Sequence, residues 1–197
     1  MVFALLRKRA RDPVPGLYAT IAAAARRPEH YLAHQVPDTV EGRFELLMLM
    51  TGLVVDRLNR AEDGAAKEAG RRLGETFFDD MDRTLRELGV GDTTMPKKMK
   101  KIARAFFGRL VATRAALAAS DPAVLEQSLV RNVYQGTGDE AFERAATAAE
   151  PAPAAVAALA AHVRRLAAAL AATPAEVILA GGFAFPEPDQ TPTDARP

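Results

Sequence analysis

The chain contains no cysteine. Disulfides, thiolate metal sites and cysteine nucleophiles are therefore excluded. Tryptophan is also absent, and β-branched residues are sparse beside abundant alanine, a balance that favours helix over sheet. There is no excess of one charge. Lysine and arginine number 26 against 25 aspartates and glutamates, so no general nucleic-acid coat is expected and any basic partner surface must be local. A long hydrophobic run is missing too. The longest strongly apolar stretch, Phe44 to Val55, has 12 residues and includes Glu45, whereas a membrane span needs about 20. No transmembrane helix is expected. At 197 residues the chain can still bury a real core as one domain.

The punctuation of the chain predicts a single all-α bundle of about six to eight helices. Residues 1–13 read as a basic arm, with Phe3, Leu5 and Leu6 ahead of Arg7, Lys8, Arg9 and Arg11. This order is wrong for a secretory signal, where charge comes first. It suits contact with an anionic membrane surface, and equally a frayed terminus. Residues 14–185 form the helical domain, and 186–197, rich in proline and polar residues, are expected to be a disordered tail. A first helix runs from about Gly16 to Arg27 and stops at Pro28. A second takes Asp38 as N-cap with Glu41 three residues on. Its apolar residues nearly encircle it, which belongs in the middle of a bundle.

A third helix carries Leu73, Phe77, Phe78, Met81, Leu85 and Leu88 on one stripe. Gly89 is placed as its left-handed C′ residue, with Val90 folding back on Leu85. The fourth follows Thr94, with Met99, Ile102, Ala103, Phe106, Leu110, Thr113 and Leu117 facing inward. Asp121-Pro122 opens a fifth. Asp139 to Ala149 reads as a weak helix, Pro153 to Ala172 as an alanine-rich one, and Thr173-Pro174 opens a short last helix that Gly181-Gly182 stops. Glycine at 70, 74 and 108 predicts close helix–helix approach. No strand pattern, internal repeat or phosphate-binding loop is present.

Four stretches carry a family likeness. They are Val36 to Glu45, Phe78 to Asp92, the basic run Lys97–Lys101 followed by Ala105-Phe-Phe-Gly-Arg109, and Leu129-Val-Arg-Asn-Val-Tyr134. In this order and spacing they resemble the ubiquinol–cytochrome c chaperone family, over about residues 17–134. The chain departs from that pattern at Met48–Met50 and near Phe107. The resemblance implies a non-catalytic assembly factor of respiratory complex III, with no cofactor and no catalytic residue. Its partner would be newly made cytochrome b, or another complex III component. A bacterial, cytoplasmic protein is expected, peripheral at the inner face of the cytoplasmic membrane, with no specific nucleic-acid partner.

Competing chemistries are weaker. Asp79 and Asp80 diverge by about 100° on a helix, so the Asp79, Asp80 and Asp82 cluster does not suit a shared magnesium. Asp79 with Arg83 and Asp82 with Arg86 read instead as i,i+4 ion pairs. His30 and His34 also stand at i,i+4, but the sequence names no third ligand. No serine–histidine–carboxylate pattern supports hydrolysis. The rivals are an isoprenoid-diphosphate-type helical enzyme, betrayed by magnesium-dependent binding, and a helical nucleic-acid-binding regulator, betrayed by salt-steep binding.

The candidate partner surface is charged. Lys97, Lys98, Lys100, Lys101 and Arg104 crowd the first turns of a helix, where the macrodipole disfavours cations. A local rule broken without visible compensation marks a functional candidate. Asp82, Arg83, Arg86, Glu87 and Asp92 complete the expected surface.

Overall fold

The structure is a computed structural model and describes residues 12–135 and 150–188. Among these residues there are eight α-helices: α1 (Val14–Ala25), α2 (Glu29–Leu32), α3 (Val40–Asn59), α4 (Gly64–Glu87), α5 (Met95–Ala118), α6 (Ala123–Leu129), α7 (Pro153–Ala172) and α8 (Ala175–Leu179). A π-helical turn, Val130–Tyr134, extends α6. No strand occurs among the described residues. The segment expected as a weak helix, 139–149, lies outside them, as does the arm up to Arg11.

Helix α3 is the axis of the bundle. Every residue from Phe44 to Gly52 is buried, and α1, α4, α5, α7 and the π turn all pack against it. An apolar helix can be covered on all sides only at the centre. Phenylalanines fasten the layers: Phe77 of α4 stacks 5.9 Å from Phe44 and 5.2 Å from Phe106 of α5, within the range of favourable ring pairs.

The helix ends follow local chemistry. Proline stands in the first turns of α1, α5 and α7, where its missing donor costs nothing. Helix α4 closes as expected. Gly89 has φ +86°, Gly89 N donates to Arg86 O, and Val90 N donates to Leu85 O, each at 3.0 Å. Asp121 accepts from Ala123 N at 2.9 Å.

Several expectations change. The cap of α3 is Thr39, not Asp38: its hydroxyl accepts from Gly42 N at 3.1 Å. Asp38 turns outward to Arg43 Nε at 2.5 Å. Leu88 is exposed because the chain has already left the helix. A Cβ at Gly70 would lie 2.8 Å from Asn59 Oδ1 and 3.1 Å from Leu58 Cβ, so α3 does approach there, but Gly74 and Gly108 have nothing within 4 Å. Among the described residues α3, α4 and α6 pack on α5, and its opposite face carries exposed residues.

By length and composition alone, Pro153–Ala172 could cross a membrane, which a search for unbroken apolar runs overlooks. Its Val156, Leu159, Val163, Leu166 and Leu170 are buried in the core. The first residues of the expected tail are held. Arg27 donates to Pro186 O at 2.9 Å and pairs with Glu187 at 3.0 Å, and Pro188 is buried; 189–197 lie outside the described residues.

Candidate functional site

The charged residues singled out in the sequence fall on the α4–α5 corner. Arg86 bridges it, donating to Asp82 at 2.6 Å and also to Asp92 in the loop that starts α5. Arg83 pairs with Asp80, not with Asp79. Tyr18 of α1 also donates its hydroxyl to Asp80 at 2.7 Å. The acidic members are thus largely neutralised by neighbouring arginines. Glu87 is exposed at the end of α4.

The cations stand on α5. Lys97, Lys100 and Arg104 are exposed, and Lys98 and Lys101 half-buried, on a helix whose first turn carries no acidic residue. One helical face further along, the surface turns apolar. Phe107 is 58% exposed and Val111 62%, with Gly108, Ala112 and Ala115 exposed beside them. One helix therefore presents a cationic half and an apolar half on the same outer side. Large exposed apolar groups next to charge are typical of surfaces that meet a partner.

Beside this face, α3, α5 and α7 enclose a groove of about 310 Å³. Its walls are Met48, Leu53, Phe106, Leu110, Leu117 and Leu170. Below one end lies an ion pair that sequence reading missed. Arg109 Nη2 is 2.8 Å from Glu45 Oε1, and Arg109 Nη1 donates to Met48 Sδ at 3.0 Å. Burial pushes the Glu45 carboxyl up to about 7, although Arg109 pulls it down. The available signal was Glu45 itself, a lone acid inside an apolar run.

At the other end, Arg57 caps α7, donating to Leu170 O at 2.8 Å and Thr173 O at 2.7 Å. These carbonyls would otherwise be unsatisfied at a helix C-terminus. Arg60 and Arg114 share Asp56.

The three histidines of the chain meet in the core. His30 of α2, His34 in the bend just after it and His162 of α7 have ring centroids 5.0–5.6 Å apart. Gln35, at φ +52°, turns the chain after them, and its Oε1 accepts from Ala152 N at 3.0 Å. Tyr134 donates to His34 O at 2.6 Å. The structure thus supplies a third imidazole that sequence spacing could not name. Among the described residues, however, no group of three or more histidines or carboxylates is arranged to hold a metal ion.

Comparison with known proteins bears on this architecture. A family model, ubiquinol-cytochrome C chaperone, matches residues 32–185. The chain belongs to that family. The match spans α3 to α8, so it includes the α4–α5 corner, the groove and the segment beyond Tyr134. The crystal structure of the Cbp3 homolog from Brucella abortus is similar, with a TM-score of 0.74 and 36% identity over 91% of this chain and 92% of that one. No curated protein sequence matches.

Proposed function

We propose that this chain is a bacterial assembly factor that binds newly made cytochrome b and assists the building of ubiquinol–cytochrome c reductase. Membership of the chaperone family supports the general role. The observation that carries the specific reading is the outer face of α5, cationic from Lys97 to Arg104 and apolar around Phe107 and Val111. A hydrophobic client newly emerged at a membrane offers apolar segments flanked by polar loops, and such a face answers both. Asp82, Arg83, Arg86, Glu87 and Asp92 border it, and Arg86, paired with Asp82 and Asp92, ties the end of α4 to the loop from which α5 starts.

The mechanism is binding without turnover. The protein holds its client at the inner face of the cytoplasmic membrane until haem insertion or subunit joining, then releases it. The basic N-terminal arm adds attraction to anionic lipid. Deleting the gene should deplete assembled complex III while leaving the cytochrome b transcript intact. Unchanged ubiquinol–cytochrome c reductase activity in the deletion strain would refute the reading. Pull-down from native membranes, read by mass spectrometry, should recover cytochrome b.

A further inference from the structure

The groove between α3, α5 and α7 has a chemistry that client capture on the outer face of α5 does not use. It follows α3 from Met48 to Arg60, about 18 Å at 1.5 Å per residue. Its volume of about 310 Å³ is at the lower end of small-molecule sites, which span roughly 300–1,000 Å³. Aliphatic side chains from three helices form its length. Charge is confined to its two ends.

The two ends are not equivalent. At the Met48 end Arg109 is buried and is met by Glu45. At the α7 end three guanidinium groups, Arg57, Arg60 and Arg114, line the groove with a single carboxylate, Asp56. Arg60 and Arg114 both lean on that carboxylate. Arg57 is held by two carbonyls at the C-terminus of α7, which orient its charge and, as the negative end of that helix, offset part of it. The mouth, with three guanidinium groups against one carboxylate and the end of α7, therefore carries a net positive charge over an apolar interior. A guanidinium already fixed in place loses little entropy on binding an anion and can meet it with paired donors.

We propose that this groove binds a single-chain amphiphile with an anionic head, such as a fatty acid or lysolipid, its head at Arg57, Arg60 and Arg114. The chain lies along Leu53, Leu110, Leu117 and Leu170 toward Phe106. A neutral alcohol of equal length lacks the head interaction, and a short anion lacks the chain.

Calorimetric titration of the full chain with decanesulfonate below its micelle-forming concentration tests this. One site per chain is expected, with affinity rising up to about fourfold per methylene from hexane- to decanesulfonate, the ratio that buried methylenes supply. Decanol should bind at least tenfold more weakly. The double variant Arg60→Gln/Arg114→Gln changes two solvent-facing side chains, so it should fold normally and lose at least fivefold for decanesulfonate with no change for decanol. Ala167→Phe, which puts a ring into the groove, should abolish binding of both. Equal binding of decanol and decanesulfonate, or undiminished binding by either variant with a normal melting temperature, would overturn the proposal. So would failure of decanesulfonate where an apolar peptide with acidic flanks binds. None of these outcomes depends on whether cytochrome b is the client.

Discussion

His30 Nδ1 lies 3.2 Å from His34 Nδ1 in the interior, so one ring must hold the proton that the other accepts. Protonating both would break the bond and put two cations beside a third imidazole. Burial first, then the charges of His162, His34 and Arg27, lowers the pKa of His30 to about 3. Between that value and the ordinary one near 6.5 the unfolded chain binds the extra proton, so this group makes stability rise with pH. Glu45 does the opposite. Its pKa is raised from 4.5 to about 7, so the folded state keeps a proton that the unfolded state has lost, and stability falls with rising pH across that window. Each proton is worth at most about 1.4 kcal/mol per pH unit. From about 4.5 to 6.5 these two contributions oppose one another. Chemical denaturation should therefore give a profile that rises more steeply with pH for Glu45→Gln than for the wild type, and less steeply for His30→Leu. Parallel profiles for all three proteins would contradict this account.

Three imidazoles in a core invite a metal, and mass spectrometry decides the matter. Protein purified without chelator should carry no stoichiometric transition metal. Adding zinc should not raise the melting temperature, as binding to the folded state alone would. Roughly one tightly held divalent ion per chain would reverse the reading of this cluster as packing.

Charge reversal isolates the role of the α5 face. Lys97, Lys101 and Arg104 fall within about 60° of one another on a helical wheel, away from buried Ile102 and Phe106. Changing all three to glutamate should leave the melting temperature equal or slightly higher, since the acid at position 97 stands in the first turn of α5, where the helix dipole favours it by about 0.3–1 kcal/mol. Co-purification of cytochrome b should fall several-fold, and wild-type capture should weaken with salt. If the variant melts normally and captures as much client, these cations serve only solubility.

Two glycines should respond in opposite directions. A Cβ at Gly42 would stand 2.1 Å from Pro37 O, and a backbone atom cannot simply turn aside. Gly42→Ala should cost about 1–3 kcal/mol or more. Gly74 has no such neighbour, so Gly74→Ala should gain up to about 1 kcal/mol from helix propensity. Thermal melts of the two variants give the comparison.

What could be read from sequence was local. The bounds of α7 are legible because Pro153 opens it and Thr173-Pro174 closes it, and the end of α4 is legible because Gly89 must take a positive φ. Helix α2, a single turn, is too short to show a period. Asp38 and Thr39 are both good caps, and only the contact of Asp38 with Arg43 decides between them. The pairing of Glu45 with Arg109 and the meeting of His162 with His30 and His34 depend on how distant helices cross. No spacing rule carries that information. The exposure of Phe107 and Val111 was hidden for the same reason, since periodicity says which residues share a face but not whether another helix covers it.

Helix α7 supplies the third wall of the groove, the third histidine and, through Leu170 O and Thr173 O, the anchor of Arg57. Chains are made from the N-terminus, so these parts leave the ribosome after almost everything they touch. A chain released only as far as α6 has α3 uncovered on one flank, Arg27 without Pro186 and Glu187, and no enclosed groove. Addition of α7 is thus the step that closes the core, and fragments ending before it should melt lower and be cut faster by proteases than the full chain.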